Sequence, residues 1–264
     1  MNILETIIAQ KKKEVAEKKS SMGIDFFKFM NDDFNKPCLS LKEKLLHDDA
    51  NIIAEFKRKS PSKGWMNEHI HISEVIPSYE QHSAAAISVL TDNFFFGGDI
   101  EELKIARVEV GIPLLRKDFI IDEFQLYEAK SYGADIILLI AACLSKVKIK
   151  ELAAKAKELK LEVLLEIHTK EEIDFICDDV DIIGINNRNL ETFVTDVSTS
   201  IDLIKFIPAD KPVISESGIS DIDTIINLHH AGFKGFLIGE AFMKAKNPVI
   251  AFAEFMKQLK AKLK

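Results

Sequence analysis

From residue 51 onward the chain alternates short apolar runs with longer amphipathic ones, and this alternation restricts the fold more than any other feature. The apolar runs span 51–57 (NIIAEFK), 85–92, 112–119, 135–142, 161–168, 181–187, 211–218 and 235–241 (GFLIGEA). Helical patterns follow them at 73–83, 99–110, 122–132, 145–159, 170–178, 197–206, 221–231 and 247–263, and Ser73, Asp99, Asp122, Ser145, Asp221 and Asn247 stand as caps. Near-continuous hydrophobicity implies strands covered on both faces, as in a parallel sheet. Strand then helix, eight times over at spacings of about 20 to 35 residues, predicts a closed α/β barrel of the (β/α)8 or TIM type. A doubly wound open sheet is the competitor, but neither a glycine-rich dinucleotide fingerprint nor a GxxxxGK[ST] phosphate loop occurs.

Residues 1–50 fall outside the repeat. Ile3, Ile7, Ile8 and Val15 predict one apolar helix face, with Lys11, Lys12, Lys13 and Lys18 as a solvated charge run on the other side. A second helix is expected near residues 26–30. The segment reads as a helical extension packed against the barrel of residues 51–264, not as an independent domain. The chain ends at Lys264, after the eighth helical pattern, which predicts a monofunctional chain without a fused second barrel.

With 47% hydrophobic residues, a chain of 264 can bury a substantial core. Its net charge of -7 argues against a general nucleic-acid binder, since affinity for a phosphate backbone needs a basic excess. Local positive charge must therefore serve something smaller. Cys38, Cys143 and Cys177 lack metal-ligand spacing and read as buried free thiols in a reducing compartment. The amino terminus has no hydrophobic signal core, and no apolar run approaches the roughly 18 residues of a membrane span. The expectation is a cytoplasmic protein.

In barrels of this kind the chemistry sits at the carboxyl ends of the strands. The first strand ends with Glu55 and Lys57, which share a face with Ile53 because alternate side chains point the same way. Behind them comes Lys59-Ser60-Pro61-Ser62-Lys63-Gly64, a turn-forming stretch suited to an anion. The second strand carries Ser88, the third ends with Lys117 and the fifth with Glu166. Asn186, followed by Arg188, ends the sixth, and Glu216 and Ser217 end the seventh. Each charge removed from water costs several kcal/mol unless it is paired or used, so this many at one end point to a site. Strand parity turns Lys117 and Glu166 inward from opposite sides of one mouth, where they would face each other across a bound molecule as an acid and base pair. His168 reads as a loop-packing residue. Ser217-Gly218-Ile219 and Gly239-Glu240-Ala241 follow the last two strands, where such barrels cradle a phosphate, and Ser60 could add a hydroxyl.

Six ordered segments, IIAEFKRKSPSKG, LLRKDFIID, LLEIHT, GINNRNLETF, ISESGI and FLIGEAFM, resemble the successive signatures of indole-3-glycerol phosphate synthase. ILETIIAQKKKEVAEKK resembles the extension that covers part of that family's active-site mouth. The resemblance implies a carboxy-lyase of tryptophan biosynthesis. Its phosphosugar substrate would be 1-(2-carboxyphenylamino)-1-deoxyribulose 5-phosphate, and its products indole-3-glycerol phosphate, carbon dioxide and water. It implies Lys117 as the general acid at the ketone oxygen and Glu166 as base or proton shuttle. Lys57, held by Glu55, would meet the substrate carboxylate and assist loss of hydroxyl. Asn186 and Arg188 would orient the substrate, with Glu216 in support. Phe96, Phe119 and Leu190 resemble the positions that hold the aromatic ring, and Ser60, Ser217, Gly218 and Gly239 the phosphate site. At 240, where some members carry serine, Glu240 is expected to offer its backbone N–H with the side chain turned away. No metal or organic cofactor is implied, nor a nucleic acid or membrane, and a monomer is compatible with the reading.

Other readings remain open on the residues alone. A Schiff-base aldolase also uses a strand-end lysine, a phosphosugar isomerase would want a carboxylate with a cysteine or a second carboxylate, and a scaffold barrel would show no turnover.

Overall fold

The computed structural model describes residues 2–30, 34–47, 50–190 and 192–263. Residue 191, inside one of the quoted segments, and the terminal Lys264 lie outside them. Strands β1 (Asn51–Phe56), β2 (Ala86–Leu90), β3 (Leu114–Lys117), β4 (Ile136–Ile140), β5 (Glu162–Ile167), β6 (Ile182–Asn186), β7 (Val213–Glu216) and β8 (Gly235–Ile238) pair in parallel, each with the next, and β8 pairs with β1 to close the barrel. Each strand lies within its expected apolar run, one to three residues shorter at an end.

Two layers of apolar side chains explain why the runs are hydrophobic on both faces. Ile53, Leu115, Leu138, Leu164, Ile214 and Leu237 fill the barrel interior, whereas Ile52, Ala54, Phe56, Ile87, Val89 and their counterparts pack outward against the helices. Parity along β1 therefore leaves Glu55 as the inward successor of Ile53. The amino-terminal end is plugged by helix α3 (Leu41–His47), whose Leu41 and Leu45 are fully buried. Glu162, at the start of β5, accepts from the Leu41 and Lys42 N–H groups at 2.9 and 3.1 Å, so a carboxylate caps the plug. Helix α3 follows α1 (Ile3–Ser21) and α2 (Ile24–Met30). Leu41–His47 carried no helix expectation, because seven residues are too few to establish a period.

Three expectations need correction. The pattern at 170–178 forms only a 3-10 turn, Glu171–Phe175. Its Ile, Asp, Phe and Cys residues are poor helix formers, and Glu172 turns back to accept from the His168 N–H at 2.6 Å. The helix expected from Ser73 begins one residue earlier, at Ile72, where the His71 N–H donates to Glu74. The third concerns the lysines of α1. Lys12 and Lys13 are exposed, but Lys11 is 4% exposed and shares a buried stripe with Ile7 and Val15, each four residues apart on the helix. Lys18 pairs with Glu128, and Lys19 with Asp122 at 2.9 Å. The lysine run is thus largely the fastening of α1 to the barrel wall.

Among the described residues no helix is long and apolar enough to cross a membrane. Cys38, Cys143 and Cys177 are free thiols, all half-buried rather than fully buried.

Candidate active site

At the carboxyl ends of the strands a cavity of about 760 Å³ opens, floored by Leu138, Ile140 and Leu237 and ringed by the polar strand-end residues. Lys117 ends β3, and its Nζ lies 2.8 Å from Glu166 Oε2 on β5 and 2.7 Å from Glu216 Oε2 on β7. The acid and base expected on opposite walls therefore touch, because long side chains span the narrow barrel. Asn186 Nδ2 donates to Glu166 Oε1 at 3.0 Å, and its Oδ1 accepts from the Arg188 N–H at 3.0 Å. Glu55, on β1, and Lys57, just past its end, form a second pair at 2.5 Å.

The pairs set the protonation states. Burial opposes the Lys117 charge, but Glu166, Glu216 and Glu55 overcome it and hold the ammonium well above the ordinary lysine range. Burial would likewise raise Glu166, yet Lys117 and His168 keep its carboxyl below the usual range. Glu216 goes the other way: burial pushes it up to about 7, Lys117 opposes, and Glu166 and Glu55 add repulsion. One ammonium between two buried carboxylates can fully compensate only one of them, and Glu216 is the one left near neutrality.

Two glycines make this crowding possible. A Cβ at Gly184 on β6 would sit 2.2 Å from Glu216 Oε1, and one at Gly239 would sit 2.7 Å from Glu55 Oε1 and 2.8 Å from Glu55 Cβ. Gly239 thus makes room for the Glu55 carboxylate.

The β1 loop folds as a ribbon, Lys59–Ser60 against Gly64–Trp65. Arg188 fastens it across the mouth, donating to Ser62 Oγ at 2.8 Å and approaching Glu240 at 3.4 Å. Ser60 Oγ is buried in the cavity wall without a hydrogen-bond partner among the described residues. Ser217 and Gly218 both adopt left-handed backbone, φ 66° and 75°, a conformation that costs a non-glycine residue energy. Asn187 holds this turn, donating to the Ser217 carbonyl and the Ser215 hydroxyl at 3.0 Å each. Gly239 precedes the short helix Glu240–Met243. The Glu240 carboxylate is engaged by Lys244 and Arg188, so it is neutralised within the wall.

Apolar groups close the other side. Phe96 and Phe119 meet at 6.0 Å between ring centres, and Leu190 lines the same cavity. Ser88 is the exception among the expected residues: in register with Glu55 and fully buried, it does not line the cavity.

Ile3, Leu4 and Ile7, not named singly as site residues from the sequence, carry α1 into the cavity wall, in keeping with the resemblance of that helix to a cover over the mouth. His168, read as a loop-packing residue, does not line the cavity; its Nδ1 lies 3.5 Å from Glu172 of the following turn and its Nε2 3.3 Å from Glu166. Burial would lower this imidazole, but the two carboxylates push it up to about 9. His168 shares strand parity with Glu166, two residues before it. Among the described residues no three His, Cys, Asp or Glu side chains converge as metal ligands would.

An ammonium held charged against buried carboxylates can donate a proton and a neighbouring carboxylate can take one; cations and an unpartnered hydroxyl at the rim suit an anion. A (β/α)8 barrel so equipped is an acid-base enzyme acting on a small anionic molecule. The family model for indole-3-glycerol phosphate synthase matches residues 4–255. The enzyme of that name from Bacteroides thetaiotaomicron is 49% identical over 260 residues, covering 98% of this chain and 99% of its own. Those from Albidiferax ferrireducens and Burkholderia vietnamiensis are 40% and 42% identical, each covering 96% of this chain and 97% and 98% of their own lengths. The chain belongs to the indole-3-glycerol phosphate synthase family, and its activity is the carbon–carbon lyase step of tryptophan biosynthesis for which that family is named.

Proposed function

We propose that Lys117 is the general acid of ring closure. The substrate is 1-(2-carboxyphenylamino)-1-deoxyribulose 5-phosphate. The aryl carbon bearing the carboxylate attacks the ketone carbon, pushed by the ring nitrogen, while Lys117 protonates the ketone oxygen. Carbon dioxide then leaves with its bonding electrons returned to the ring. Loss of the new hydroxyl as water, with a proton taken from the adjacent carbon, completes the indole. Glu166 is the base or shuttle for that proton and restores Lys117. Glu216 supports the ammonium, and Lys57, steered by Glu55, meets the substrate carboxylate and assists the hydroxyl's departure. Asn186 and Arg188 orient the substrate.

Phe96, Phe119 and Leu190 take the aromatic ring; their apolar surface keeps water from the carboxylate, which favours its loss as neutral carbon dioxide. Ser60, the left-handed Ser217-Gly218 turn and the backbone at Gly239 and Glu240 take the phosphate. Residues 51–264 form the catalytic barrel and residues 1–50 its extension. Every group comes from one chain, so a monomer suffices, and the setting is the cytoplasm.

The observation that carries this reading is the Lys117 ammonium held between Glu166 and Glu216 inside the cavity, at 2.8 and 2.7 Å. Incubation with the carboxyphenylamino substrate should produce indole fluorescence with release of carbon dioxide. Covalent capture by borohydride at Lys57 or Lys117 would instead indicate Schiff-base chemistry.

A further inference from the structure

One buried cation has no part in that mechanism. Lys11 projects from the middle of α1 into the barrel wall, where its Nζ lies 2.8 Å from Asp92 Oδ2, 3.0 Å from Asp118 Oδ1 and 2.9 Å from Glu14 Oε2. Asp92 and Asp118 are themselves buried, 1% and 4% exposed. Each uses a carboxylate oxygen to hold a phenylalanine backbone. Asp92 Oδ1 accepts from the Phe95 and Phe96 N–H groups at 2.9 and 3.3 Å, capping the turn that carries Phe96. Asp118 Oδ1 accepts from the Phe119 N–H at 2.8 Å. Phe96 and Phe119 are the two rings that meet in the cavity wall.

We propose that Lys11 is a positioning residue which, through Asp92 and Asp118, sets the spacing of the two phenylalanines against the substrate's aromatic ring. The inference rests on the reading of Phe96 and Phe119 as the ring wall. Its physical basis is the cost of an uncompensated buried charge. Asp118 keeps Arg116 as a second cation at 3.0 Å, but Lys11 is the cation paired with Asp92. Without it the Asp92 carboxylate gains by turning to water, which releases the turn bearing Phe96. The same helix supplies Ile3, Leu4 and Ile7 to the cavity, so one ammonium ties the cover and the ring wall together.

The test compares wild-type protein with Lys11→Met, which keeps an unbranched apolar stem and removes the ammonium. KM for the substrate should rise at least about tenfold, the scale of one charge-assisted contact, with kcat within about threefold. The Kd for indole-3-glycerol phosphate should weaken alongside KM, while that for glycerol 3-phosphate, which lacks the ring, should not change. Amide hydrogen exchange at Phe95, Phe96 and Phe119 should quicken. Unchanged exchange at these amides, equal weakening of both ligands, or a fall in kcat alone would overturn the proposal. Should Lys11→Met not fold, Lys11→Met with Asp92→Asn removes both charges and leaves an oxygen to accept from the turn. Its changes should be smaller and in the same direction, because Asp118 still lacks one of its two cations; wild-type values throughout would overturn the proposal. Failure of the functional reading shows separately, as wild-type protein without turnover or preference for the ring-bearing phosphate. Amide exchange still decides the role of Lys11 in that case.

Discussion

The proton chemistry depends on how few groups share one small volume. Glu216 stands near neutrality because it competes with Glu166 for a single ammonium. Glu216→Gln removes one anion from beside Lys117 and eases its deprotonation, so the alkaline limb of kcat against pH should move to lower pH. An unmoved limb would count against the shared ammonium. Gly239 is governed by the same crowding. A side chain there first meets Glu55, at 2.7 to 3.0 Å, so Gly239→Ala should lower kcat by about tenfold through the displaced Glu55–Lys57 pair as well as raise KM. A rise in KM with kcat unaltered would return Gly239 to phosphate binding alone.

Among the elements, the strands were legible because burial on both faces leaves a composition that nothing else in a chain of this size requires. Their parity alone turns Lys117 and Glu166 inward and sets Glu55 on the face of Ile53. What parity does not carry is side-chain reach, and so the direct contact of Lys117 with Glu166 was not foreseen. The α1 helix shows the converse failure. Counting lysines as solvent-facing overlooked that Lys11 falls four residues after Ile7 and four before Val15, on the buried stripe. The carboxylates awaiting it, Asp92 and Asp118, lie far away in the sequence. The loops are a matter of tertiary closure too: Arg188 joins the β6 loop to the β1 ribbon at Ser62 and touches Glu240 near the β8 end. Arg188→Ala should raise KM about tenfold, the scale of a charge-assisted hydrogen bond, and increase proteolysis within residues 59–65. Unchanged KM would show that this clasp is idle.

For the whole molecule, the site's electrostatics enter the stability. His168 is pushed up to about 9 in the fold from an ordinary value near 6.5. The folded state thus binds this proton more tightly than the unfolded chain. The contribution is fully present below about pH 6.5 and is lost as pH rises through about 9. It amounts to ~1–3 kcal/mol. Denaturant unfolding of wild type and His168→Gln should therefore show a difference that narrows between pH 6 and pH 9.5; a constant difference would mean that His168 is not charged in the fold. Asp118 has the opposite sign. Burial would raise it, but Lys11 and Arg116 hold it well below the usual carboxylate range, so its contribution is lost as pH falls below about 4. Fold and the proposed catalysis thus draw on the same buried charges, and the proposal on which the rest depends is that Lys117 delivers the proton for ring closure. Its most direct measurement is the turnover of Lys117→Ala against wild type with the carboxyphenylamino substrate, followed by indole fluorescence. We expect kcat to fall by at least about 10²-fold, as for loss of a general acid; activity within a factor of about two of wild type would remove Lys117 from the mechanism.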